Sequence, residues 1–148
     1  MTDREAIELA LALARIAADA GEVPIGAIVL REGVVIASGQ NRTLRDNDPT
    51  AHAEIVAIRE AARAVGNHRL NGCTVYATLE PCAMCAGALI HARIDRLVYA
   101  APDPKAGAAG SVLSVINHEK LNHQMSVESG LMADESSELL KAFFKERR

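Results

Sequence analysis

Apolar residues first recur along the chain at helical spacing and then change period. Ile7, Leu11 and Ala14, with alanines and leucines between them, mark one face of a helix that runs to about Ala20, where Gly21 stops it. Thr2 and Glu5 have the spacing of a reciprocal N-terminal cap. After Pro24 come two short β-branched runs, "IGAIVL" (25–30) and "VVIASG" (34–39). Arg31-Glu32-Gly33 separates them, which predicts an antiparallel hairpin. The polar stretch "QNRTLRDNDPT" (40–50) predicts a loop, and the helical period returns over Ala51–Val65 in Ile55, Ile58 and Ala62. "CTVYATL" (73–79) and "RLVYAA" (96–101) predict strands on either side of a helix over 83–92, which Pro81 initiates. Beyond them the pattern predicts a Pro/Gly-rich loop (102–111), a helical turn (112–116) and a fifth strand in "QMSVES" (124–129). A closing helix over 134–148 places Leu139, Leu140, Phe143 and Phe144 on one face.

A hairpin followed by strand–helix–strand units predicts an α/β fold of three layers, α/β/α, in which helices cover both faces of a mixed five-stranded sheet. In such sheets ligands collect beyond the carboxyl ends of the strands, at helix N-termini. Two stretches carrying chemistry fall there, "HAE" (52–54) and "PCAMC" (81–85).

Composition bounds what those stretches do. With 148 residues and neither a repeat nor a low-complexity segment, the chain is expected to be one domain, 1–148. A hydrophobic fraction of 49% with 24% charged residues fits a soluble globule, and no apolar run approaches the ~20 residues of a membrane span. The N-terminal stretch lacks the pattern of an export signal, so a cytoplasmic protein is expected. In that compartment a CxxC pair is metal-binding or redox-active rather than a structural disulfide. The net charge of −3, with two Tyr, two Phe and no Trp, argues against a non-specific nucleic-acid binder and favours a small polar substrate.

Cys82 and Cys85, three positions apart at a helix start, are favoured as thiolates by the helix dipole. By themselves they fit a metal site, a redox pair or two small core residues. His52 raises the first reading, because it begins an adjacent helix with Glu54 two residues on. Two thiolates and one imidazole make three ligands for one Zn²⁺ per chain and leave the fourth tetrahedral position to water, the pattern of a catalytic site. Cys73 begins its strand about 20 Å from the end that carries Cys82 and reads as a buried apolar residue. Two thiolates nearly neutralise the ion and acidify bound water only weakly, so a base is needed and Glu54 can be it. His52 must then sit at the very start of its helix, since residues i and i+2 within a helix face apart.

HxE followed by PCxxC is the signature of the zinc-dependent cytidine-deaminase-like superfamily, and the chain resembles that superfamily in both. Over nearly its whole length it further resembles the bacterial tRNA adenosine deaminase branch, in "EVPIGA", "NDPTAHAEI", "TLEPCAMCAGALIHARI", "DPKAGAAGS" and "FFKERR". The resemblance implies the cytidine-deaminase-like fold, with zinc on His52, Cys82 and Cys85 and proton transfer by Glu54. It also implies hydrolysis of adenosine to inosine at the wobble position of a tRNA anticodon stem-loop, by a homodimer. Ala53 would contact the purine through its amide, and Asn41 would orient base or ribose. Asp103, Lys105, Phe144 and Arg147 would contact flanking nucleotides. An acidic chain can hold one RNA loop if basic residues gather locally, and Arg42, Arg45, Lys105, Lys141, Lys145, Arg147 and Arg148 are the candidates.

Two rivals stand beside this reading. A deaminase of a free base, nucleoside or nucleotide would keep the zinc chemistry and change the pocket. A closed structural zinc module would need a fourth ligand from His68, His91, His118 or His123, none of which has ligand spacing to the others.

Overall fold

The computed structural model describes residues 1–147. Its elements run α1 (Asp3–Asp19), β1 (Gly26–Arg31), β2 (Val34–Gln40), α2 (Ala53–Val65), β3 (Cys73–Leu79), α3 (Ala83–His91), β4 (Arg96–Ala101), β5 (Ser126–Ser129) and α4 (Ala133–Glu146). Arg148, one of the candidate basic residues, lies outside the described residues.

The expected capping box opens α1: Glu5 N–H donates to Thr2 Oγ1, and Thr2 N–H donates to Glu5 Oε1. Arg31 and Val34 close the β1–β2 hairpin around Glu32 and Gly33, whose φ values of 51° and 76° supply the left-handed pair that a two-residue turn needs. The sheet order is β2-β1-β3-β4-β5. β1 pairs antiparallel with β2 and β3, whereas β3–β4 and β4–β5 are parallel, so the sheet is mixed as expected.

Strand alternation distributes two cores. Ile28, Leu30, Tyr76, Val98 and Ala100 face α1, whose Ala6, Ile7 and Leu11 meet them. Ala27, Val29, Val75, Ala77, Leu97 and Tyr99 face the other side and pack with Ala53, Ala57 and Ala61 of α2 and with Ala86, Leu89 and Ile90 of α3. Helices therefore cover both faces.

On α2 the buried stripe is alanine, while Ile55 and Ile58 are only half-buried. Gly39 explains this. A Cβ there would lie 2.3 Å from Ala53 O and 2.7 Å from Ala57 N, so β2 touches the helix backbone and leaves room for alanine alone. The helical turn expected over 112–116 is instead an isolated antiparallel bridge, Ala109 to Ser114, closed by a loop whose amides turn inward. On α4, Phe143 is buried but Phe144 is 49% exposed, so the expected common face splits between them.

Candidate active site

α2 and α3 begin at the same end of the sheet, and each presents a metal-binding side chain from its N-cap. His52 caps α2 in extended backbone (φ −70°, ψ 154°), and Cys82 caps α3 in the same region (φ −73°, ψ 176°). Neither side chain donates or accepts a capping hydrogen bond, so both remain available. α2 starts two residues later than the sequence pattern predicts, because Asp48 accepts from the Thr50 amide and hydroxyl in a local turn that delays it, whereas α3 begins at Ala83 as expected, with Pro81 just before its cap. Because His52 lies off the helix, its ring and Glu54 on the first turn escape the i, i+2 restriction.

His52 Nδ1 lies 3.6 Å from Cys82 Sγ and 3.6 Å from Cys85 Sγ. The ligand atoms of all three lie within 4.8 Å of one another, and no fourth residue of ligand type joins them among the described residues. Two ligands on a tetrahedral Zn²⁺, with Zn–S of about 2.3 Å and Zn–N of about 2.0 Å, stand about 3.6 Å apart, so the side chains as placed fit that ion. Soft sulfur with imidazole is also a donor set that zinc accepts. The other histidines lie apart from the group. His68 and His91 are exposed, His118 accepts from the Lys120 amide, and His123 bonds the Ile94 carbonyl.

The three ligand side chains are electrostatically joined. Hydrogen bonds from the Cys85 thiol and from His52 hold Cys82 down to about 3, as a thiolate. The Cys85 thiol is pushed up by its bond to Cys82 and by burial, and the Cys82 sulfur raises His52. An arriving divalent ion would displace the remaining protons. Glu54 is 4% exposed, and burial pushes its carboxyl above the ordinary range. Ala53 is the first residue of α2, where an amide has no acceptor within the helix. Cys73 is buried at the far end of β3, within the larger core.

Asn41 follows β2 directly and is 5% exposed. Its main-chain N–H donates to Ile25 O, and the main-chain N–H of Arg42 donates to Ala51 O beside His52, which fixes this segment against the start of α2. Asp103 accepts from the Lys105 and Ala106 amides and caps its own turn, and the exposed Lys105 follows. That loop is tied to Glu80 and Pro81, immediately before Cys82. Phe144 and Arg147 close α4. Arg147 stacks over the Phe143 ring at 3.6 Å, and among the described residues neither bonds to the His52–Cys82–Cys85 group.

Arg42 and Arg45 are not free cations. Arg42 pairs with Asp46 at 3.1 Å. Arg45 reaches Glu22 Oε2 at 3.1 Å, Gln40 Oε1 at 3.0 Å and Asn41 O at 2.6 Å. Sequence reasoning missed the two buried carboxylates that organise the loops, Glu22 (0% exposed) and Glu80 (2% exposed). The available signal was a lone acid in apolar surroundings, "GEVPIGA" and "ATLEPC".

A mixed sheet of this order, with an imidazole and two sulfurs meeting at paired helix starts beside a buried carboxyl, defines a deaminase of the cytidine-deaminase-like fold. The chain belongs to the MafB19-like deaminase family, whose model matches residues 1–148, and to the family of the tRNA-specific adenosine deaminases. It is 46% identical over 147 residues to the tRNA-specific adenosine deaminase of Haemophilus influenzae, covering 99% of this chain and 85% of that one. With the tRNA-specific adenosine deaminase of Agrobacterium fabrum the identity is 51% over 142 residues, covering 96% and 93%. A solved structure from studies of A-to-I editing by tRNA:A34 deaminases at the wobble position of transfer RNA superposes with a TM-score of 0.89 at 50% identity, over 92% of this chain and 99% of that one.

Proposed function

We propose that the protein hydrolyses adenosine to inosine at the wobble position of a tRNA anticodon, as one zinc-dependent domain. The observation that carries this reading is the convergence of His52 Nδ1 with two sulfurs, 3.6 Å from each, beside the buried Glu54. Identities of 46% and 51% to tRNA-specific adenosine deaminases support RNA-borne adenosine as the substrate.

His52, Cys82 and Cys85 would hold one zinc ion, which when bound supplies Lewis-acid activation of the attacking water. Glu54 handles the protons. Its carboxyl, which burial raises, takes one proton from the water and gives it to ring N1, then takes the second from the C6 hydroxyl and gives it to the departing amine. Water adds at C6, the C6–N bond breaks, and the products are inosine and ammonia. The Ala53 amide, unpaired within α2, donates to the purine. Asn41, held against the base of α2 through its neighbours, orients base or ribose. Asp103, Lys105, Phe144 and Arg147 serve the flanking nucleotides, with Phe144 offering an exposed ring for stacking. The homodimer and the cytoplasmic location belong to the same proposal. No helix among the described residues is long and apolar enough to cross a membrane.

The experiment is to incubate the purified protein with total tRNA and to map adenosine-to-inosine changes by sequencing. Inosine at a wobble adenosine is the expected result. Ammonia release from free bases or nucleosides, with no inosine in RNA, would transfer the same centre to a small-molecule deaminase.

A further inference from the structure

The loop 102–111 is wound around one carboxylate. Glu80 Oε1 accepts from the Asp103 amide at 3.0 Å and from the Ser111 hydroxyl. Its Oε2 accepts from the Ala109 amide at 2.9 Å and the Ser111 amide at 3.1 Å. The main chain adds Glu80 N–H to Ala101 O and Ala108 N–H to Pro81 O, both 2.8 Å. Gly107 lies flat against the same group, where a Cβ would sit 2.4 Å from Glu80 Cδ and 2.5 Å from both oxygens. No Lys or Arg pairs with Glu80 among the described residues, so neutral dipoles alone satisfy it.

The loop bonds within itself and to the segment that follows it: Gly107 N–H donates to Asp103 O, the Lys105 and Ala106 amides donate to Asp103 Oδ1, and Ala108 O accepts from Val115 and Ile116. Among the described residues Glu80 is the one side chain from outside 102–111 that hydrogen-bonds it, and within the loop Gly107 and Ala108 alone are buried. The loop also carries Asp103 and Lys105, and Glu80 stands two residues before Cys82. One side chain thus joins the turn that bears a metal ligand to the loop that bears the expected RNA contacts.

We infer that Glu80 is a positioning residue. It fixes the 102–111 loop at a set height over the metal site and so determines how an anticodon loop is held, with Gly107 as the residue that lets the carboxylate lie there. The inference rests on the reading of the protein as a tRNA deaminase. It adds the element that couples RNA grip to the metal turn.

The test is Glu80→Gln in the metal-replete protein. The amide keeps the volume but turns an NH₂ toward one set of N–H donors, so that oxygen's bonds are lost. Three readouts are taken together: zinc per chain, amide hydrogen exchange across 102–111, and kcat and KM for inosine formation in an anticodon stem-loop RNA. Zinc is expected to stay stoichiometric. Exchange in the loop should quicken at least about tenfold, and KM should rise by about tenfold or more while kcat changes less than about threefold, the pattern of lost binding that ground and transition states share. Gly107→Ala, which leaves the carboxylate present but forces it aside, should reproduce that split. In a Glu80→Ala background, where the space is open, Gly107→Ala should add less than about twofold to KM.

Loss of zinc from Glu80→Gln, a fall in kcat with KM unchanged, or full additivity of the two substitutions would overturn the inference. If Glu80→Gln does not fold, the Gly107→Ala kinetics and the additivity measurement decide alone. A wild-type protein that makes no inosine in the stem-loop would instead defeat the reading of function, and the exchange measurement would still report on the tie itself.

Discussion

His52 Nδ1 stands 3.6 Å from Cys85 Sγ, although thirty-three positions separate them in the chain. β2 and β3 both run antiparallel to β1 and so point the same way, which puts the starts of α2 and α3, the helices that follow them, at one end of the sheet. Cys85→Ala or Cys82→Ala is expected to abolish stoichiometric zinc, measured by elemental analysis. The same variants should lose the stability linked to binding, about 4 kcal/mol when the ion is present at a thousandfold its dissociation constant. Full zinc content in either variant would remove that cysteine from the ligand set.

Glu54→Ala should separate metal binding from turnover. The carboxyl is buried and lies outside the group that fits the ion, so zinc content and fold should persist. Inosine formation should fall by about 10²–10⁴-fold, the usual weight of a positioned proton carrier. Near-normal turnover would show that the protons travel by another route.

Much of this was legible in the sequence, for local reasons. Thr2 and Glu5 cap α1 because that spacing sets two reciprocal bonds, and β3 and β4 occupy the expected ranges because their runs are apolar and β-branched. The HxE and PCxxC stretches announce donor types and spacing. What escaped depends on contacts distant in sequence. The alanine stripe of α2 follows from Gly39 on another element, and isoleucines at helical spacing gave no sign of it. Glu22 and Glu80 take amide hydrogens from loops more than twenty residues away, and sequence pattern cannot pair a carboxylate with a backbone. The bridge in place of a helical turn near Ser114 arises in the same way, from a loop folded over Glu80.

Arg45→Ala probes the loop that holds Asn41. Burial raises the carboxyl of Glu22, but the Arg45 and Leu44 amides and the Arg45 guanidinium outweigh it and keep the acid ionised. Removing the guanidinium leaves a fully buried charge held by two backbone amides and the Thr43 hydroxyl, and frees the Asn41 carbonyl. Denaturant unfolding should show a loss of about 2 kcal/mol, the range for a hydrogen bond to a charged group. KM for the stem-loop should rise as Asn41 loosens. Unchanged stability would mean that the amides and the Thr43 hydroxyl satisfy Glu22 without help.

Stability in acid should report on Asp3. Hydrogen bonds from Arg96 and from the Tyr76 hydroxyl hold its carboxyl down to about 2. A depressed folded value means that this contribution is complete above the ordinary carboxylate range and is lost as pH falls from about 4 toward 2. Asp3 is a third exposed, and screening reduces the contribution to about 1 kcal/mol. Asp3→Asn should therefore be less stable than the parent by about that amount at pH 7, with the gap closing by pH 2. A gap independent of pH would trace the effect to shape and not to charge.

Zinc-edge X-ray absorption of the metal-replete protein bears hardest on the whole reading. The expected spectrum has two sulfurs at about 2.3 Å, one imidazole nitrogen at about 2.0 Å and one further light scatterer that is not imidazole, the position open to water. A third sulfur, a second imidazole or a protein with no zinc would contradict it.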